Sequence, residues 1–174
     1  MLPQTILNAA RRFGDRAAFR LASGASVSYS DLDRASDEVA AGLAVRGLGE
    51  GDVLLLSLPS GPEYAVAYLA AAKVGAVTAG ANPRLRARER GLVADTVDPA
   101  LVLATESLAG GLPDDLAVEL VTPTEDPGRM LGTLRVAHHN VPNLAEDPGR
   151  AVCICFTSGS TGDPRGAWFT NRQL

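Results

Sequence analysis

Four short apolar runs, at 53–58, 76–79, 101–104 and 151–156, broken only by Ser57 and Thr78, constrain this chain more than any other feature. A strand with one face in water alternates apolar and polar residues, whereas a strand apolar throughout must be covered on both faces. Helical spacings separate the first three runs, and strand alternating with helix implies parallel pairing with right-handed crossovers. The expectation is an α/β fold, a mainly parallel sheet with flanking helices. With 174 residues, 46% of them apolar, the chain is large enough to bury such a core.

The remaining elements follow from spacing and punctuation. Ile6, Ala9, Ala10 and Phe13 predict a helix over 5–13, and Ser23-Gly24 predicts a hairpin between strands at 17–21 and 26–29. Ser30 with Asp33 reads as a capping box opening a helix whose buried face is Leu32, Ala35, Val39 and Leu43. Ser60 is expected to cap the next helix, with Pro62 and Glu63 in its first turn, Tyr64, Tyr68, Leu69 and Ala72 toward the sheet, and Gly75 at its end. A short polar helix over 86–95 and a strand over 118–122 follow. We expect an α/β subdomain over 1–121, a Pro/Gly-rich charged linker over 122–150, and a strand with a functional loop over 151–174. The linker carries two copies of Glu-Asp-Pro-Gly-Arg, at 125–129 and 146–150, which read as turn chemistry, and His138 and His139, which read as solvated loop residues.

Charge and cysteine usage exclude several functions. The net charge of −4 comes from mixed charges with no basic block, which argues against nucleic acid. The weakly apolar span 64–81 carries Lys73 and fails as a transmembrane helix, and Arg11, Arg12, Asp15, Arg16 and Arg20 interrupt any export signal. Cys153 and Cys155, two apart on a strand, point to one face in a geometry that disfavours a disulfide. Without C-x-x-C spacing they read as buried, reduced thiols, in keeping with a cytoplasmic protein.

The chemistry concentrates after the last apolar run, in Thr157-Ser158-Gly159-Ser160-Thr161-Gly162-Asp163-Pro164-Arg165-Gly166. Glycines let backbone amides face an anion, hydroxyls add donors, and a cation supplies charge, so this composition is a phosphate cradle. The Walker pattern fails, because Asp163-Pro164 follows Gly162 where Lys and a hydroxyl are required. The dinucleotide fingerprint fails on the spacing of Gly159, Gly162 and Gly166.

TSGSTGDPRG does resemble the phosphate loop of the adenylate-forming superfamily, T-S-G-[ST]-T-G-x-P-K-G, at every defined position except the lysine, where Arg165 stands. The family includes acyl-CoA synthetases, luciferases and peptide-synthetase adenylation domains. FGDRAAF, the segment from YSDLDRAS to GANPRL, and AEDPGRAVCICF are similar to its N-terminal region, and 105–145 is the least similar stretch. The resemblance implies the N-terminal subdomain of an acyl-CoA synthetase-like fold, truncated. It implies that Thr157, Ser158, Gly159, Ser160, Thr161, Gly162 and Gly166 hold ATP through its β- and γ-phosphates, with Arg165 in the place of the catalytic loop lysine.

The implied reaction is ATP-dependent activation of a carboxylic or fatty acid to an acyl adenylate, with Mg2+ sharing the charge, followed by transfer to coenzyme A. The family's adenine, metal and hinge elements lie later in its sequences, so this chain alone is expected to be inactive. A peptide-synthetase fragment, a non-catalytic polyphosphate-binding module and an inert remnant stand as alternatives. Thr170-Asn171 replaces the Thr-His of many members and reads as the N-cap of a helix starting near Arg172. In a partial domain, the strand at 151–157 and some helix faces should be exposed as apolar surface and favour self-association.

Overall fold

In a computed structural model, residues 1–137, 141, 143–157 and 164–174 are described. Helix α1 (Leu2–Phe13) leads into a small antiparallel hairpin, β1 (Ala17–Arg20) and β2 (Ser26–Ser28), and then helix α2 (Tyr29–Val45). An alternating series follows: β3 (Val53–Ser57), α3 (Pro62–Val74), β4 (Val77–Gly80), α4 (Ala87–Val97), β5 (Leu101–Ala104), the short α5 (Glu106–Ala109) and β6 (Val118–Leu120). A 3-10 turn at Gly132–Leu134 precedes the final hairpin, β7 (Ala151–Thr157) and β8 (Arg165–Thr170). The main sheet has the order β6-β5-β3-β4-β7-β8, parallel throughout except for β8, which pairs antiparallel with β7.

Beta4 and β5 flank β3 on opposite sides, so right-handed crossovers put α3 and α4 on opposite faces of the sheet. Successive strand residues divide between two cores accordingly. Leu54, Leu56, Leu101 and Leu103 pack with α1, α2 and α3, while Val53, Leu55, Val102, Ala104 and Ile154 pack with Val93 and Ala94 of α4. Burial on both faces is why these runs contain no polar alternation.

Helix caps differ from the sequence expectation at two places. The capping box is formed by Ser28 and Asp31, not Ser30 and Asp33: Asp31 N donates to Ser28 Oγ at 3.0 Å and Ser28 N to Asp31 Oδ2 at 3.1 Å. Asp33 is instead drawn to Lys73, whose Nζ lies 2.8 Å from Asp33 Oδ1 and 2.6 Å from Asp37 Oδ1, tying α2 to α3. Gly61, not Ser60, precedes α3, and no side chain caps that helix; Pro62 fills its first turn. Gly75 ends α3 in the left-handed conformation, as its position suggests.

The segment from Val121 to Val136 is held against α2 by more than turns. Met130, Leu131 and Leu134 are buried, each contributing roughly 1.5–3 kcal/mol by the usual burial scale. Arg135 Nε donates to Glu38 Oε2 at 2.6 Å, Val136 N to Glu38 O at 3.0 Å, and Arg46 Nη2 to Thr133 O at 3.0 Å. Gly42 lets the strap approach: a Cβ there would fall 1.7 Å from Leu134 O. His138 and His139 lie outside the described residues.

Candidate functional site

Beta3, β4, β5 and β7 are parallel, so their C-terminal ends form one edge of the sheet, where α/β proteins place ligands. The crevice at the strand-order reversal, between β3 and β5, is bordered by Val121, Thr124 and Glu63, and Glu63 Oε1 accepts from Thr124 N at 3.0 Å. The loop singled out from the sequence springs from this same edge, two strands away, at the end of β7.

Ser158, Gly159, Ser160, Thr161 and Gly162 lie outside the described residues. What frames them is defined. Thr157 pairs with Arg165 and Phe156 with Gly166 in the antiparallel ladder, so the residues on either side of the loop are held side by side. Gly166 is where backbone passes closely over side chains, because a Cβ there would fall 2.6 Å from Ile154 Cγ2 and 3.3 Å from Phe156 Cε1. Arg165 is exposed at the first position of β8 and makes no ion pair among the described residues. Its guanidinium presents a planar fork of donors.

A neighbouring groove of about 590 Å³, lined in part by Ser60, Tyr64, Gly80, Asn82 and Arg84, follows the ends of β3 and β4. Tyr64 lies across Gly80 so closely that a Cβ there would meet its hydroxyl at 2.4 Å, and burial pushes the phenol above its ordinary range. Arg84, Arg86 and Arg88 are exposed in and beside the turn after β4, and none forms an ion pair among the described residues. Sequence reasoning passed over this groove; the signal for it is Asn82-Pro83 at a strand end, where Asn82 Oδ1 accepts from Arg84 N at 2.9 Å to form a local turn. These arginines and Arg165 bring positive charge to this part of the edge, although the chain as a whole is acidic.

Residues 165–170 form β8, and a hydrogen-bonded turn follows, in which Gln173 N donates to Thr170 O at 3.0 Å and Gln173 Oε1 accepts from Thr170 N at 2.8 Å, the contacts of a first helical turn. Two expectations about this end of the chain require correction. The interior of β7 is not exposed: Val152, Cys153 and Ile154 are buried between neighbouring strands, and the apolar exposure lies on β8, where Trp168 is 55% accessible. Of the two free thiols, Cys153 is buried but Cys155 is exposed, since the residue opposite it on marginal β8 is only Ala167.

No group of three or more His, Cys, Asp or Glu side chains converges as a metal site among the described residues. No helix among the described residues is long and apolar enough to cross a membrane.

Comparison with known proteins agrees with the geometry. The chain is 33% identical over 161 residues to 4-coumarate–CoA ligase 5 of Oryza sativa subsp. japonica, covering 88% of this chain and 29% of that protein. It is 30% identical over 149 residues to the dimodular nonribosomal peptide synthase of Bacillus subtilis, covering 85% of this chain and 6% of that protein. The N-terminal subdomain of NpsA from Klebsiella oxytoca superposes with a TM-score of 0.82 at 21% identity, over 98% of this chain and 42% of the other, and shows the same fold. The chain thus spans less than a third of the ligase and a small part of the synthase. The sequence model of the AMP-binding enzyme family matches residues 6–174, and the chain belongs to that family.

Proposed function

We propose that the chain supplies the phosphate-holding part of an AMP-forming acid–thiol ligase, which activates a carboxylic or fatty acid with ATP and passes the acyl group to coenzyme A. The observation that carries this reading is the sequence Thr157–Gly166 on a hairpin at the C-terminal edge of a parallel sheet, within a chain that matches the family. Backbone amides and the hydroxyls of Thr157, Ser158, Ser160 and Thr161 would donate to the β- and γ-phosphates, the glycines giving them close approach.

In the proposed reaction a substrate carboxylate attacks the α-phosphorus and pyrophosphate leaves. The loop's contribution is to fix and neutralise that leaving group before it departs, the kind of preorganised charge that lowers such barriers. Arg165 would act in the place of the family's lysine, binding a phosphate through two parallel donors instead of one compact ammonium. Mg2+ would share the charge of the phosphates.

The peptide-synthetase relative favours a second reading, in which the acyl group passes to a carrier domain. The two free thiols accord with a cytoplasmic setting. Exposed Trp168 and Leu120, at opposite margins of the sheet, accord with self-association of the isolated chain. We retain 1–121, 122–150 and 151–174 as the division of the chain, its middle segment acting as a strap on α2.

Reading the DNA beyond codon 174 and assaying the encoded protein for carboxylate-dependent exchange of labelled pyrophosphate into ATP tests the proposal. In-frame family motifs with exchange support it. ATP binding without exchange would favour a non-catalytic module, and absence of both an inert remnant.

A further inference from the structure

The thiols take no part in the proposed chemistry, yet their surroundings are those of a ligand site. Cys153 and Cys155 share the face of β7 that is turned toward α3, because Ile154 between them belongs to the opposite core. Tyr68 of α3 faces the Cys153 thiol, and Tyr64 stands one turn earlier on the same helix face. Thr78, the register partner of Cys153 on β4, is 2% exposed, and its Oγ1 is a buried side-chain oxygen without a partner among the described residues. A buried hydroxyl left unpaired is costly, so this orphan beside a thiol marks unused bonding capacity.

Spacing decides what could use it. Side chains two apart on a strand start about 6.6 Å apart, whereas a disulfide needs Cβ atoms within roughly 4.5 Å. The two sulfurs can lean together but cannot bond without breaking the strand. A cation held between two thiolates at about 2.3 Å each requires a sulfur separation near 4.6 Å, which side-chain rotation alone supplies. Two sulfurs with neutral hydroxyls are too few donors for tetrahedral zinc and suit a soft ion that accepts two ligands.

We infer that Cys153 and Cys155 form a binding site for a soft, two-coordinate cation of the copper(I) class, entered from the exposed Cys155 side and backed by Tyr68 and Thr78. Binding replaces two S–H bonds by two metal–sulfur bonds and releases two protons to solvent, with no change of oxidation state. The resulting bis-thiolate complex carries one negative charge. Arg165 lies on the same face of the hairpin, opposite Thr157, where its charge offsets it.

The test is anaerobic titration of the purified chain with copper(I) against a chromophoric copper(I) chelator. The expected result is one ion per chain, with X-ray absorption showing two sulfur neighbours. Cys155→Ser, a change at an exposed position that leaves the core intact, should lower affinity at least 100-fold, and bound copper should protect both thiols from a disulfide reagent that otherwise modifies Cys155. Unchanged affinity in Cys155→Ser, or retention of one copper by the Cys153→Ser/Cys155→Ser double variant, would overturn the assignment. Should the double variant fail to fold, the single exposed variant and the thiol-protection assay still decide.

Discussion

Gly42→Ala tests the strap on α2 by the sign of its effect. In a helix not covered at this point, alanine would stabilise by about 1 kcal/mol relative to glycine. Here the new methyl would fall 1.7 Å from Leu134 O and 2.8 Å from Leu134 C, both backbone atoms of the 3-10 turn. Restoring an ordinary contact requires the strap to retreat by roughly 1.5 Å, which removes the contacts that depend on close approach. Those contacts include fully buried Met130 and Leu134, and the strap is also clamped by Arg46, which bonds both Gly42 O and Thr133 O. Loss of about half their burial energy, together with strained hydrogen bonds, outweighs the helix gain and leaves a net destabilisation of about 2 kcal/mol or more. In urea unfolding the midpoint should fall by about 1 M at unchanged slope. A variant as stable as the parent, or more stable, would refute the docking of 121–136 on α2.

Three further substitutions probe separate parts of the structure. Ser28→Ala removes the cap of α2 and should cost about 1 kcal/mol at neutral pH. The Ser28 hydrogen bond holds Asp31 below its ordinary value of 3.8, so its contribution is present above that value and is lost as pH falls through the lower folded one; the gap between parent and variant should therefore narrow in acid-limb stability titrations below about pH 4. Lys73→Met keeps the aliphatic stem but strands Asp33, whose side chain is only 17% exposed, and should lower stability by about 1–3 kcal/mol in thermal unfolding. Asp37→Asn, at the exposed end of the same cluster, should cost less than about 1 kcal/mol in the same measurement.

The strands were legible because burial on both faces leaves a local record: 101–104 was located to the residue and β3, β4 and β7 to within a residue or so. Caps were less legible. Ser28-x-x-Asp31 and Ser30-x-x-Asp33 are equally good capping boxes by spacing, and only the distant Lys73 on α3 explains why Asp33 was taken elsewhere. The burial of the strap was hidden for a similar reason. Met130, Leu131 and Leu134 carry no periodicity of their own, and the feature that receives them, Gly42, lies nearly a hundred residues earlier in a different helix. Beta8 was not anticipated because a six-residue edge strand with an exposed face has little apolar pattern to betray it. At the site, the loop was found from its density of donors, whereas the groove at Tyr64, Gly80 and Arg84 required two strand ends to be brought side by side.

The central claim is that residues 157–166 hold phosphate. It is tested most directly by titrating the isotope-labelled chain with Mg-ATP and with pyrophosphate while following backbone amide resonances. The account predicts saturable shifts concentrated at 157–166 and in the adjoining turn at 81–86, with Arg165→Ala weakening binding about tenfold, or 1.4 kcal/mol, and Arg165→Lys retaining most of it. Shifts confined to another face, or none at ~10 mM nucleotide, a limit near 2.7 kcal/mol of binding free energy, would contradict it.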